Sequence, residues 1–111
     1  MLDEPIYIRA GKELRKIETP GKLFKLLMKS DRLQTIVAEM DPHTDSDWYQ
    51  HDGEEIHYII DGEIEYDVGE KTYALKKGDF LWHQSNVKHR ARNLSNNKAK
   101  YATVGSPPTF M

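Results

Sequence analysis

With 111 residues and no cysteine, the chain has room for one hydrophobic core and must hold it by packing, without disulfides or thiolate metal ligands. Its hydrophobic content of 38% and aromatic content of 10% suffice for a modest core. A net charge of −2, from 16 basic and 18 acidic side chains mixed along the sequence, builds no basic face for phosphate backbones. No apolar run is long enough to span a membrane or to follow a basic start as an export signal, so the expected location is the cytoplasm.

The first twenty residues open on Ile6-Tyr7-Ile8, short and β-prone, followed by the charged Arg9 to Lys16. Such a lead-in suits an edge strand or a dimer-contact arm. Thr19-Pro20-Gly21 is a turn, and Lys22 to Lys29 fits either a strand or a turn and a half of helix, a choice that periodicity cannot make over so few residues. From Leu33 to Met40 the residues Ile36, Ala38 and Met40 fall on one face of a strand, interrupted only by Gln34. Asp41 to Asp47 is a polar loop of turn formers; it lacks the glycine and terminal glutamate of a calcium-binding loop, so it reads as a plain loop, and His43 as a loop histidine.

Chemistry concentrates in the next stretch, Tyr49-Gln50-His51-Asp52-Gly53-Glu54-Glu55-Ile56-His57, which leads into a strand running to Ile60 and an Asp61-Gly62 hairpin signal. The following strand alternates, with Ile64, Tyr66 and Val68 opposite Glu63, Glu65 and Asp67. Gly69-Glu70 turns the chain into Thr72 to Lys76, Lys77-Gly78-Asp79 turns it again into Phe80 to His83, and Gln84 to Asn86 is a loop. Val87 to Asn93 and Lys98 to Val104 supply the last strands. Tyr58, Tyr66, Tyr73, Phe80 and Trp82 read as core and wall, and Lys76-Lys77 and the Arg90/Arg92 pair as solvated surface. Short strands joined by tight turns, with no convincing long helix, predict an all-β sandwich or barrel.

His51 and Glu55 share a phase if the chain between them is extended, and His89 reaches them from another strand. Two imidazoles and a carboxylate with open coordination positions suit a divalent ion: Fe, Mn, Ni, Zn or Co, among which the residues do not choose. His57 shares the face of Glu55, so it lines the cavity or packs beside the ligands rather than ligating, and His83, beside Trp82, is either a cavity-wall or a surface residue.

These residues resemble the cupin family. Its first motif, His-x-His, then Glu after three or four residues and Gly after six more, is matched by Tyr49-Gln50-His51, Glu55 and Gly62. Its second, Gly, five residues, Pro-x-Gly, two residues, His, three residues, Asn, is matched by Gly78, Gln84-Ser85-Asn86, His89 and Asn93. Tyr49 stands for the first histidine, Gln84 for the proline and Asn86 for the turn glycine, a position where asparagine tolerates the left-handed conformation. The resemblance covers the whole chain and implies an all-β, cupin-type double-stranded β-helix, a jelly-roll barrel. It implies one domain over residues 1–111, with an N-terminal arm and first strands over 1–30 and the barrel with both motifs over 31–111.

It further implies metal ligation by His51, Glu55 and His89, with Tyr49 a fourth ligand or a hydrogen-bond donor to whatever binds, and Tyr49, His57 and His83 facing a small-molecule ligand. The closest likeness is to the sensor domain of regulators that join a helix-turn-helix to a C-terminal cupin, carried by Gly53-Glu54-Glu55 with Tyr58 and by Ser106-Pro107-Pro108-Thr109-Phe110. Their DNA-binding part is not in this sequence, so no nucleic-acid partner is carried over, and a homodimer is expected. The functions implied are a metal-binding sensor or binding module for a small polar molecule, a metal-dependent dioxygenase, isomerase or lyase, or an interaction protein without metal.

Overall fold

The computed structural model describes residues 4–109. Ten strands follow one another: β1 (Arg15–Thr19), β2 (Lys22–Lys29), β3 (Gln34–Met40), β4 (Thr44–Asp45), β5 (Glu54–Asp61), β6 (Glu63–Val68), β7 (Lys71–Lys76), β8 (Phe80–Gln84), β9 (His89–Asn93) and β10 (Ala99–Ser106). They form a six-stranded sheet in the order β1-β2-β3-β10-β5-β8 and a four-stranded sheet in the order β4-β9-β6-β7. All pairings are antiparallel, and the described residues contain no α-helix. Two such sheets closing on a shared interior make the double-stranded β-helix. Lys22 to Lys29 is thus a strand, whereas Ile6-Tyr7-Ile8 is not: that segment lies outside any strand, and the first strand is built from the charged run after it. The Thr19-Pro20-Gly21 turn decides this, since with Gly21 at φ 78° it folds Arg15–Thr19 back onto β2 as a hairpin.

The core lies between the sheets, where Ala38, Met40, Ile59, Ile64, Tyr66, Leu75, Ala91, Ala99 and Tyr101 meet. Strand alternation supplies them, for β3 buries Gln34, Ile36, Ala38 and Met40 and β10 buries Ala99, Tyr101, Thr103 and Gly105. Of the aromatics expected inside, only Tyr66 is. Phe80 is 69% and Trp82 52% exposed, and Tyr58 and Tyr73 also face out. On β5 and β8 the inward places are taken by Glu55, His57, Ile59, Leu81 and His83, so the rings in the opposite phase must point outward. There Tyr58 packs on Phe80 with ring centroids 4.6 Å apart, and Trp82 Nε1 donates to Glu54 Oε1 at 2.8 Å. The wall of this barrel is polar inside and aromatic outside.

Asp61-Gly62 is not a hairpin either. β5 pairs with β10 and β8, β6 with β7 and β9, and the dipeptide carries the chain from one sheet to the other. Gly62 takes φ 78°, and a Cβ there would lie 2.7 Å from Lys98 O and 2.8 Å from Ala99 Cα, so the corner needs both the left-handed backbone and the missing side chain. Gly62→Ala is expected to lower stability by at least about 1 kcal/mol, read as a reduced urea midpoint; an unchanged midpoint would mean the corner yields freely. Asn93, the last motif residue, is buried and laces the chain beside this corner, with Nδ2 donating to Met40 O, Asp41 O and Asn97 O and Oδ1 accepting from Ser95. Asn86 needs no left-handed backbone: among the described non-glycine residues only His43 and Asp47 have positive φ, and Val87 N donating to Gln84 O at 3.3 Å closes that turn.

Arg90 and Arg92 are not simply solvated. Arg90 Nε donates to Asp67 Oδ2 at 2.8 Å and Arg92 Nη2 to Asp67 Oδ1 at 2.9 Å, while Thr72 Oγ1 adds a third bond at 2.6 Å. Asp67, expected on the outer face of its strand, is buried beneath them, and these donors hold its carboxyl below the ordinary range against the opposing effect of burial. The Asp41–Asp47 loop includes the two-residue β4, and His43 stays in the loop with Nε2 3.1 Å from Asn96 Oδ1.

Candidate metal centre

The two motif segments are bound to each other by backbone hydrogen bonds. Tyr49 N donates to His89 O at 2.8 Å and His89 N to Tyr49 O at 2.9 Å; one step further, His51 N donates to Ser85 O and Ser85 N to Gly53 O. The residue after Gly53 starts β5, whose alternation turns Glu55, His57 and Ile59 inward. β8 lies beside β5 in a register that sets His83 directly opposite Glu55. Four imidazoles from four stretches of chain therefore meet at one carboxylate.

Around Glu55, His89 Nε2 lies 2.8 Å from Oε1, His83 Nε2 3.0 Å and His57 Nε2 3.5 Å, while His51 Nε2 lies 3.6 Å from Oε2. Glu55, His57, His83 and His89 are buried and His51 nearly so. The ligating atoms of His51, Glu55 and His89 all lie within 4.8 Å of one another, and so do those of Glu55, His57 and His83. His51, Glu55 and His89 are thus brought together as the spacing required. His57 is beside them, and His83 is inside the barrel rather than on its surface.

The far nitrogens are anchored. His89 Nδ1 meets Val87 O at 2.7 Å, His83 Nδ1 meets Gln84 O at 2.9 Å, and His51 Nδ1 lies 3.3 Å from Asp52 O and 3.1 Å from Thr109 Oγ1. A carbonyl oxygen only accepts, so the Nδ1 atoms of His83 and His89 carry protons, and each Nε2 meets Glu55 either through a second proton or, as a lone pair, across a cation. His57 Nδ1 is 2.7 Å from Thr103 Oγ1, and its Nε2 is 2.9 Å from His83 Nε2.

Burial opposes the charge on Glu55, but bonds from His57, His83 and His89 outweigh it and hold the carboxyl far below its ordinary range. Burial pushes the His57 imidazole down to about 4, against the pull of Glu55. Burial lowers His89 too, yet its bonds to Glu55 and Val87 leave it raised. Burial and then Asp47 raise Tyr49, so at neutral pH it is a phenol. An ionised carboxylate ringed by imidazole Nε2 atoms fits a divalent ion by the chemistry of the donor set, and an ion bound there would supply a Lewis acid with open positions.

The cluster forms the floor of a cavity of about 530 Å³, within the range of small-molecule sites. Tyr49, His51, Glu55, His57 and His89 reach it, with Phe24, Ile36, Tyr66 and Tyr101 as apolar wall and Arg15 and Lys22 as its cations. Tyr49 is 45% exposed, its ring centroid 6.4 Å from that of His89. His83 touches Glu55 and His57 without lining this cavity. The register opposite Glu55 was the signal for His83, hidden in the sequence by the aromatics flanking it. Thr109 stood in the ending that resembles the regulators' sensor domain, but nothing there pointed to its contact with His51.

A model of the cupin domain matches residues 36–105. An uncharacterized protein of Archaeoglobus fulgidus is 38% identical over 50 residues, 45% of this chain and 47% of that protein, so the match spans about half of that relative's length. Among solved structures, KdgF from a Halomonas species superposes with a TM-score of 0.79 at 18% identity, covering 92% of this chain and 94% of that one. The Cupin_2 domain of an XRE family transcriptional regulator from Enterobacter cloacae does so with a TM-score of 0.74 at 17% identity, covering 79% and 98%. At such identities these structures share the fold with this chain. The matched span holds Glu55, Gly62, Gly78, His89 and Asn93 in their motif positions, and on these grounds the chain belongs to the cupin family.

Proposed function

We propose that this cupin binds a divalent metal through His51, Glu55 and His89 and uses it to capture a small polar molecule in the barrel, as a sensor or binding module. The observation that carries the reading is the convergence of these side chains on the floor of the 530 Å³ cavity. A carboxylate, hydroxyl or amine of the ligand would take an open position on the ion. Its body would lie against Phe24, Ile36 and Tyr101, with Arg15 and Lys22 drawing an anionic group in. The fold shared with a regulator's domain supports the sensor role.

Untagged protein is expected to purify with about one divalent ion per chain by elemental analysis. Chelation is expected to lower the melting temperature by on the order of 10 °C, since an ion at 100 times its dissociation constant stabilises by about 2.7 kcal/mol. Metal near zero together with chelator-insensitive melting would leave a barrel serving interaction alone. The half-exposed Tyr49 phenol facing the same cavity supports a second reading, an enzyme with Tyr49 as proton donor. Metal-dependent turnover of catechols, acyclic diketones or sulfonio-propionates would establish it.

A further inference from the structure

The reading above leaves His83 without a task, although it is as close to the shared carboxylate as the motif ligand His89. We propose that His83 is the fourth protein ligand of the ion, delivered by β8 from an unspecified position of the second motif, between Gly78 and Gln84, and replacing the imidazole that position 49 lacks. The inference rests on the metal-binding reading and names a ligand that this reading does not need.

Three observations carry it. First, ligand atoms about 2.1 Å from one ion stand about 3.0 Å apart at right angles and about 3.4 Å apart in a tetrahedron. The separations of 2.8 Å for His89 and 3.0 Å for His83 from Oε1, and of 3.6 Å for His51 from Oε2, are those of neighbouring places around an ion; His83 falls in the close group with Glu55 and His57, and Glu55 is what that group shares with His51 and His89.

Second, His83 is prepared as His89 is. In both rings the Nδ1 proton is committed to a nearby carbonyl, Gln84 O and Val87 O, and Nε2 is turned to Oε1. Each Nε2 then meets Oε1 either by taking a second proton or, as a lone pair, across a cation. His57 offers at most one Nε2 proton, which serves either His83 Nε2 at 2.9 Å or Glu55 Oε1 at 3.5 Å. A cation joining His83, His89 and Glu55 removes the conflict. His57 is then a positioning residue, stacked on Tyr66 at 4.1 Å, held at Nδ1 by Thr103, and free to donate to Glu55.

Third, the alternative at position 49 is less well placed. The His83 ring centroid is 4.5 Å from that of His89, against 6.4 Å for Tyr49.

Co(II) alone is the probe. Each imidazole bound through Nε2 keeps an exchangeable Nδ1 proton, which the paramagnetic ion shifts far out of the proton NMR envelope. Three such signals are expected for the wild type, from His51, His83 and His89, and two for His83→Ala and for His83→Gln, with Co(II) affinity weakened by about 10- to 100-fold. Tyr49→Phe keeps all three. His83→Gln retains a buried polar group of similar reach, so the readout survives if the alanine variant does not fold. Two signals in the wild type, unchanged in His83→Gln, would overturn the fourth ligand and leave the metal-binding reading standing. No shifted signals and no Co(II) uptake by the wild type would overturn both.

Discussion

Replacing Glu55 by glutamine is expected to abolish tight metal binding, weakening Co(II) affinity at least ~100-fold, and to destabilise the metal-free protein by about 3–5 kcal/mol, the range for removing one partner of a buried charged pair. Glu55 is the only acidic side chain in contact with the four imidazoles, among the described residues, and its two oxygens are what those rings share. Glutamine keeps the shape but halves the accepting capacity and turns an NH2 toward rings that donate to a carboxylate. The metal-free loss follows from His89, which Glu55 helps keep raised, and from His57, whose remaining counterweight to burial is Glu55. Isothermal titration with Co(II) and urea denaturation of chelated protein measure the two effects separately. Wild-type affinity in Glu55→Gln would put the ion elsewhere.

The second large effect is an acid-side loss of stability in the metal-free protein. His57 sits at about 4 in the fold and near 6.5 in the unfolded chain, so as pH falls between these values the unfolded chain takes up a proton that the folded protein refuses. Unfolding is favoured progressively, by about 3 kcal/mol once pH 4 is reached. Glu55, depressed in the fold, keeps its contribution above about 4.5 and adds to the loss only below that. His89 runs the other way: raised in the fold, it stabilises below its unfolded value and loses that contribution as pH climbs through the folded one. Between pH 7 and 5 the His57 effect is worth about 2 kcal/mol. The wild type should therefore lose about that much more unfolding free energy than His57→Phe over the same interval. Parallel pH profiles for the two proteins would show that the buried imidazole is not the acid-labile group.

Much of the site could be read from the residues because its spacing is a property of strands. Glu55 and His57 differ by one strand period, and His89, which opens β9, is tied to Tyr49 by an isolated reciprocal bridge, so the pattern constrains the geometry. The reading failed where hydrophobicity was taken as inwardness. Phe80 and Trp82 looked like core, and their phase pushed His83 into ambiguity, yet alternation is blind to which face is buried until one strand fixes it. In this barrel that strand is β5, and it turns Glu55 and His57 in. The Asp61-Gly62 error has a similar origin. A local turn signal reports a reversal of direction, and whether the two strands then pair or part into different sheets depends on Ala99 and Lys98, nearly forty residues away. Asp67 with Arg90 and Arg92 was beyond local reasoning for the same cause, being assembled across neighbouring strands.

The last described residues return to the first motif. Ser106 and Pro107 lie so close to Gly53 that any side chain there would strike the Ser106 carbonyl, and Thr109 then reaches Asp52 O and the Nδ1 of His51. The His51 ring thus takes its aim from a hydroxyl 58 residues further along the chain. A change at Thr109, remote in sequence from that imidazole, is felt first in how the ring is tilted.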